Sequence, residues 1–129
     1  MIGLGTNVVV RHLVQDDAQQ GPAATKAFAK LTPDDPGLLT VAVLVETYWV
    51  LTRGYKFAPA EVAAILSALA DTAEIVVQDE AHVRAAFALA RGGSDFADAV
   101  ISSACKARGC SAVLSFDRRA QQDLGFRAP

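Results

Sequence analysis

The stretch LLTVAVLVETYWVLT (residues 38–52) combines a short apolar run with a longer apolar segment. Leu38–Thr40 has the length and composition of a buried strand. Thr40 belongs to the residue types that cap helices, so a helix is expected from there to about Thr52. A strand that leads directly into a helix is the repeating unit of α/β proteins. The stretch therefore predicts an α/β fold.

The same alternation continues along the rest of the chain. Three further short apolar runs are predicted to be strands: Met1–Leu4, Ala73–Val77 and Ala112–Phe116. The segments between the strands have apolar residues at helical spacing and are predicted to be helices. One helix is expected from Asn7 to Gln15 and another from about Phe96 to Arg108. Three more are expected to begin at Pro22, at Pro59 and directly after Asp79, which would act as a cap. Short parallel strands separated by helices give a central parallel sheet flanked by helices on both faces. We expect residues 1–129 to form a single domain of this kind, with two helices in each crossover.

Composition and charge exclude several classes of protein. The chain has 12 basic and 14 acidic residues, a formal net charge of −2, and 52% apolar residues. These values argue against a disordered chain and against a strongly basic nucleic-acid clamp. The two cysteines, Cys105 and Cys110, match no metal-binding spacing and are expected to be buried apolar residues in a reducing compartment. No apolar run is long enough to cross a bilayer and no leader pattern is evident, so we expect a cytoplasmic protein.

Glu46 lies among apolar residues in the predicted helix. Its neighbours one turn away are Ala42, Val43, Trp49 and Val50, which predicts that the carboxylate is on a packed face. A buried carboxylate must be protonated, paired with a base or bound to a cation. A satisfied salt bridge, or a side chain that reaches solvent at the helix edge, is the alternative.

Two aspartates stand at the ends of predicted elements. Asp98 follows Asp95 by three residues, and it either points from the first turn of a helix toward an open cleft or forms a capping box with Asp95. Asp117 follows the predicted strand Ala112–Phe116, where parallel sheets bind ligands, although a simple turn also explains it. Carboxylates such as these suit Mg²⁺ or Mn²⁺, which can activate water for phosphodiester hydrolysis.

Other chemistries have little support in the sequence. His12 and His82 lie far apart without a Glu-x-x-His or cysteine context, which argues against zinc. Gly3-Leu4-Gly5 lacks the third glycine and the lysine of phosphate-binding loops.

These residues together give a resemblance to the PIN-domain family and, within it, to the VapC-type toxins of bacterial toxin–antitoxin pairs. Met1–Val8 looks like the opening strand of the family, and Glu46 falls in its second motif. Asp98, within Asp95–Ile101, looks like the third motif, and Ser115–Asp117 looks like the fourth. The resemblance covers essentially the whole chain. It implies a Mg²⁺- or Mn²⁺-dependent ribonuclease that forms a homodimer and is neutralised by a VapB-type antitoxin.

The resemblance also implies a role for each residue. Asp98 and Asp117 would hold the metal, and Glu46 would complete the site and position a water molecule. Supporting roles fall to Thr6, Asn7, Ser115 and Asp95. Gly5 stands where the family has an aspartate, which implies weakened metal binding and impaired hydrolysis. Both an inactivating substitution and a naturally degenerate member explain Gly5. The alternative function is a catalytically inactive PIN-fold protein that binds an antitoxin or RNA without cleavage.

RNA would have to be held by local basic residues, because the net charge is negative. Arg118 and Arg119 follow Asp117, and Arg11 lies shortly after Gly5, so these three arginines are candidate phosphate contacts. The segment Arg53–Phe57 interleaves basic and aromatic residues, which suits stacking on unpaired bases. The alternative for the arginines is that they are solvated surface charges, and the alternative for Arg53–Phe57 is a packed connector between helices. The same segment, or the alanine-rich helices, would also suit a dimer or antitoxin interface.

Overall fold

A three-stranded parallel sheet lies at the centre of the protein in a computed structural model that describes residues 1–129. The strands are β1 (Ile2–Gly3), β2 (Gly37–Leu39) and β3 (Ile75–Val77), in the order β1-β2-β3. Gly37 is in register with Ile2 on one side and with Ile75 on the other. β2 therefore forms backbone hydrogen bonds with both β1 and β3 and is the central strand.

Seven α-helices surround the sheet. They are α1 (Thr6–Val14), α2 (Gln20–Ala29), α3 (Val41–Trp49), α4 (Pro59–Ala70), α5 (Glu80–Arg91), α6 (Phe96–Ala107) and α7 (Arg118–Leu124). A π-helical turn, Val50–Gly54, continues α3. Two helices lie in each crossover between consecutive strands, as the sequence predicts. The expected α/β fold class with a short parallel sheet is confirmed. No helix is long and apolar enough to span a membrane.

Side-chain caps fix the starts of three helices. The Thr40 hydroxyl accepts a hydrogen bond from the backbone N–H of Val43 at 3.2 Å and begins α3. Asp95 and Asp117 cap α6 and α7 in the same way. The prediction that Asp79 caps α5 is wrong, because its backbone is left-handed (φ 50°) and its side chain makes no capping bond. A capping side chain needs an extended backbone at that position.

The core lies between the sheet, helix α1 and the helices α3 to α6. Phe87 of α5 stacks on Phe96 of α6 with ring centroids 4.8 Å apart, and Tyr48 of α3 packs against Phe96 at 5.5 Å. All three rings are buried, and Leu39 of β2 is fully buried beneath the helices. The opposite face of the sheet is only partly covered, since Val76 is 41% exposed. The aromatic cluster thus anchors the N-terminus of α6 against α3.

The fourth predicted strand, Ala112–Phe116, does not join the sheet. Its only ladder contact is an isolated bridge between Leu114 and Arg127, and Leu114 and Phe116 are largely exposed. The backbone N–H of Ser115 donates to the Arg127 carbonyl, so the segment pairs with the C-terminal residues and not with a strand of the sheet. Strand propensity is local, whereas the choice of a pairing partner depends on the tertiary structure. Asp117 is therefore positioned by a helix cap and not by the end of a sheet strand.

The two cysteines lie at the C-terminus of α6 and are not buried. Cys105 is half-buried, Cys110 is exposed, and both are free thiols. The backbone N–H of Cys110 donates to the Cys105 carbonyl at 3.0 Å, and that of Gly109 donates to Lys106 at 3.0 Å, with Gly109 at φ 77°. This is a Schellman motif, which places the side chains at its two ends side by side. The expectation of buried apolar cysteines is therefore wrong.

Candidate functional site

An acidic cleft of about 310 Å³ lies between the C-terminal end of α3 and the N-termini of α6 and α7. Its charged lining residues are Asp95, Asp98, Asp117, Asp123, Arg53 and Arg119. Four carboxylates and two guanidinium groups leave the cleft negative, although its margin carries arginines. The structure thus brings Asp98 and Asp117, two of the predicted site residues, to one cavity.

Asp95 organises the floor of the cleft. Its Oδ1 accepts a hydrogen bond from the backbone N–H of Asp98 at 2.9 Å, and its Oδ2 accepts one from the hydroxyl of Tyr48 at 3.3 Å. Burial, together with the charge of Asp95, raises the pKa of the Tyr48 hydroxyl. Both carboxylate oxygens of Asp95 are therefore occupied by protein donors, and its role is to begin α6 and fix the orientation of the first turn.

Asp98 is the unpaired carboxylate of the cleft. It is half-buried in the first turn of α6, and its side chain makes no hydrogen bond within the protein. Burial raises the pKa of Asp98, and the nearby charges of Asp95 and Asp117 add to the shift, while Arg53 opposes it. The free N–H groups at a helix start favour negative charge there, but no cation pairs with this carboxylate directly. A positively charged ligand beside Asp98 would therefore stabilise its charged form.

Asp117 faces the same cleft from the start of α7. Its Oδ1 accepts from the backbone N–H groups of Arg119 (2.9 Å) and Ala120 (3.1 Å). The Ser115 hydroxyl accepts from the Asp117 backbone N–H at 3.0 Å and holds the preceding turn. The Oδ2 atom makes no hydrogen bond within the protein. One oxygen of Asp117 thus positions the side chain and the other remains free for a ligand.

The margin of the cleft is basic and aromatic. The Arg53 guanidinium lies over the Trp49 indole, 5.0 Å from its centroid, and both residues line the cavity. Arg119 pairs with Asp123 at 3.4 Å and donates to the Gly93 carbonyl at 3.4 Å. Of the arginines predicted to contact RNA, Arg119 lines the cleft, and Arg118 does not.

Arg11 lies elsewhere. It pairs with Asp16 at 3.0 Å and donates to Gln20 and to the Tyr55 hydroxyl, in the groove between α1 and α2. The hydrogen bond from Tyr55 is the largest cause of the lowered pKa of Asp16. Arg11 and Tyr55 therefore join this surface network, outside the acidic cleft.

Glu46 is exposed, so the expectation that it sits on a packed face is wrong. Helix α3 is apolar on every side, and the buried face carries Leu44, Thr47 and Tyr48 instead. Glu46 shares its exposed face with Trp49, one turn further on. It is not among the residues that line the cleft, and no group of three carboxylate, histidine or cysteine side chains is close enough to hold a metal ion. The predicted set of Glu46, Asp98 and Asp117 is thus not assembled.

Gly5 is the N-cap of α1 and is exposed, with an ordinary extended backbone (φ −78°, ψ 157°). A Cβ atom at Gly5 meets nothing within 4 Å, so an aspartate fits there without strain. The side chains of Thr6 and Asn7 make no hydrogen bond within the protein, and Asn7 lines the groove between α1 and α2. The bracing predicted for these two residues is not formed.

Several residues of the cleft were missed by the sequence analysis as site residues. They are Tyr48, Trp49 and Asp123. Arg53, predicted to stack on bases, also lines the cleft. In the sequence Trp49 stands out only as an apolar neighbour of Glu46. The signal that points to it is its place four residues before Arg53, a spacing that puts two helical side chains on one face.

Carboxylates that converge on one cleft of an α/β domain are the oxygen ligands that divalent cations prefer, and hydrolytic enzymes use such cations. Comparison with protein families identifies the chain: the PIN domain model matches residues 4–126, and the protein belongs to this family. PIN domains are generally metal-dependent nucleases. Comparison with curated proteins gives no match.

The donor set in the cleft fits a divalent cation only in part. Asp98 and one oxygen of Asp117 are free, while the two oxygens of Asp95 already accept hydrogen bonds. Mg²⁺ in phosphate-processing sites is usually held by one or two carboxylates, with water and substrate oxygens completing its shell. Two free carboxylates therefore suit a weakly held cation that binds together with a phosphate.

Proposed function

We propose that this protein is a Mg²⁺- or Mn²⁺-dependent endoribonuclease of the VapC type whose activity is impaired by Gly5. The observation that carries the proposal is the convergence of Asp98 and Asp117 on one cleft in a chain that belongs to the PIN domain family. The unsatisfied charge of Asp98 supports a cation at this place. Proximity of Arg53 and Arg119 supports a phosphate-containing substrate.

Each cleft residue has a definite part in this proposal. Asp98 and the free oxygen of Asp117 would hold the cation, and a cation there would lower the pKa of a water molecule and offset charge on the phosphate. Asp95 and Ser115 position these two carboxylates. Arg53 and Arg119 bind the phosphodiester and orient it toward the carboxylates. Glu46, at the exposed edge of α3, is not part of the holding set.

Gly5 limits the activity in this proposal because the chain offers two free carboxylates and not three. Loss of one ligand weakens a site that attracts its cation by charge. The same observation favours the alternative function, a non-cleaving protein that binds RNA or an antitoxin. A VapB-type antitoxin and a second copy of the chain are the partners we propose, on the exposed faces of the alanine-rich helices, where Ile65 and Leu89 remain partly exposed.

A cleavage assay separates the two functions. The protein, the Gly5→Asp variant and the Gly5→Asp/Asp98→Asn double variant are each incubated with a diverse single-stranded RNA pool in Mg²⁺, in Mn²⁺ and in EDTA. We expect strong cleavage by Gly5→Asp, weak or no cleavage by the unaltered chain, and none by the double variant or in EDTA. If Gly5→Asp binds RNA but does not cut it with either metal, the ribonuclease proposal fails and the binding protein is favoured.

The partners are tested separately. Co-expression with a short reading frame found beside the gene, followed by size-exclusion chromatography with light scattering, should give a complex that contains two copies of this chain. A monomer that co-purifies with no neighbouring product would contradict the toxin–antitoxin assignment and leave the nuclease assignment unaffected.

A further inference from the structure

Trp49 is the one large aromatic side chain on the wall of the acidic cleft that remains accessible. Its exposed fraction is 41%, although it is the only tryptophan of the chain and lies at the end of an apolar helix. A large aromatic surface exposed beside a polar cavity is a common mark of a binding site. The three rings of the core aromatic cluster, Tyr48, Phe87 and Phe96, are buried in contrast.

The backbone at this point brings a cation over the ring. Helix α3 passes into the π-helical turn Val50–Gly54, and this turn carries Arg53 to 5.0 Å from the indole centroid. Such π-helical turns are rare and are frequent at functional sites. The guanidinium of Arg53 is exposed and makes no hydrogen bond or ion pair within the protein. One face of the guanidinium lies against the indole, so its outer face and its charge are available to a ligand.

From this geometry we infer that Trp49 and Arg53 form a stacking platform for one unpaired nucleobase of the RNA. The inference rests on the proposed function and specifies which residues hold the substrate. A base that stacks on the platform lies at the margin of the cleft that Asp98 and Asp117 also line. Stacking uses the faces of the base, so the platform accepts any base but requires a single strand.

Charge distribution favours this occupant over other ligands. A purely acidic cleft repels RNA, whereas the platform joins an aromatic face to a guanidinium group that lines the same cleft. Arginine and tryptophan side chains that stack on bases recur in proteins that bind single-stranded nucleic acid. Ile101, which is 46% exposed and lies one turn beyond Asp98 on α6, adds apolar surface to the lining of the same cleft.

The single tryptophan gives a direct test. The unaltered protein in EDTA is titrated with a short oligoadenylate while its intrinsic fluorescence is recorded, so that no cleavage takes place. We expect saturable quenching by the oligoadenylate. An abasic oligonucleotide of the same length and charge, and an RNA duplex, should leave the fluorescence unchanged. Equal quenching by the abasic strand would overturn the inference, because it would show that phosphate contacts alone explain the signal.

Variants test the same point by fluorescence anisotropy of a labelled oligoadenylate. Trp49→Ala should weaken binding by about tenfold, as expected for the loss of one stacked base, while Trp49→Phe should retain most of the affinity. Phe57→Ala is the matched control, since Phe57 is 39% exposed but does not line the cleft. A loss of affinity in Phe57→Ala that equals the loss in Trp49→Ala would overturn the inference.

The platform and the nuclease can fail independently. Base-dependent quenching without cleavage by Gly5→Asp leaves the platform standing and rejects the nuclease. Cleavage by Gly5→Asp that is unchanged when Trp49→Ala is added, at RNA concentrations below saturation, rejects the platform and leaves the nuclease standing. Thermal melting followed by circular dichroism shows whether each variant is folded, and the titration of the unaltered protein needs no variant.

Discussion

The carboxylate of Asp95 accepts a hydrogen bond from the backbone N–H of Asp98 at 2.9 Å, so one acidic residue of the cleft fixes the helical turn that carries the other. The same carboxylate receives the hydroxyl of Tyr48, a buried residue of α3. Asp95 therefore links the helix that carries Trp49 to the helix that carries Asp98. The cleft depends on this link for its shape.

Asp95→Ala removes the cap of α6 and leaves the buried Tyr48 hydroxyl without its partner. We expect the free energy of unfolding, measured by urea denaturation, to fall by about 1–2 kcal/mol. Asp95→Asn keeps a capping oxygen and should lose much less stability. If the two variants are equally destabilised, the cap is not the source of the effect.

Asp98→Asn should stabilise the metal-free protein at neutral pH. Burial and the charges of Asp95 and Asp117 raise the pKa of Asp98 in the folded state, so between its unfolded value, about 4, and the raised value the folded protein binds more protons. The contribution of Asp98 to stability therefore declines as the pH rises through this window. We expect a Tm about 2 °C higher for Asp98→Asn at pH 7 in EDTA, with no difference near pH 3.

The control for this measurement is Asp123→Asn. Asp123 also lines the cleft, but it is exposed and already pairs with Arg119, so its removal should change the Tm little at either pH. A decrease in Tm for Asp98→Asn at pH 7 would contradict the interpretation of Asp98 as an unpaired, repelled carboxylate.

Features that depend on interactions within one helical turn, such as helix starts and caps, could be predicted from the sequence. The Asp-x-x-Asp spacing of Asp95 and Asp98 predicts both a helix start and two acidic groups on it, and the structure has both. Pro59 begins α4, and Thr40 caps α3, for similar local reasons. In each case the physical cause lies within one helical turn.

Features that depend on distant parts of the chain were not predictable in the same way. Helix α3 has apolar residues on all sides, so its periodicity could not indicate whether Glu46 or Thr47 faces the core. Ala112–Phe116 has the composition of a strand, yet its pairing partner is Arg127 and not a strand of the sheet. The π-helical turn that brings Arg53 over Trp49 has no recognised signal in the sequence.

Thr47 provides a test of the core beneath the cleft. Its side chain is completely buried in α3, and its hydroxyl oxygen has no hydrogen-bond partner. An unsatisfied buried hydroxyl costs about 1–3 kcal/mol, and valine has nearly the same shape without the polar group. We therefore expect Thr47→Val to increase the free energy of unfolding by about 1 kcal/mol.

The matched control for Thr47→Val is Thr52→Val. The Thr52 hydroxyl donates to the Tyr48 carbonyl at 2.7 Å, so the same substitution there removes a satisfied hydrogen bond. It should be neutral or destabilising by up to about 1 kcal/mol in the same urea denaturation. A loss of stability in Thr47→Val would mean that its hydroxyl has a bonded partner in solution.

The Schellman motif at the end of α6 makes a final prediction about Cys105 and Cys110. The backbone bond of 3.0 Å between these residues places their side chains together, and burial, followed by the proximity of Cys110, raises the pKa of the Cys105 thiol. The exposed Cys110 thiolate should therefore attack an added disulfide such as oxidised glutathione first. The Cys105 thiol then attacks the mixed disulfide on Cys110, and glutathione leaves as a thiolate. The products are the intramolecular disulfide and two molecules of reduced glutathione, so the reagent is reduced by two electrons.

Mass spectrometry should show the loss of two hydrogen atoms from the intact chain, with no retained glutathione. Cys105→Ser removes the resolving thiol and should instead retain one glutathione on Cys110. Gly109→Ala disfavours the left-handed backbone (φ 77°) that closes the motif and should slow formation of the disulfide at equal thiol content. If the unaltered chain retains two glutathione molecules, each thiol has reacted with the reagent separately. That result would show that the Cys105 and Cys110 side chains do not come close enough to form a disulfide.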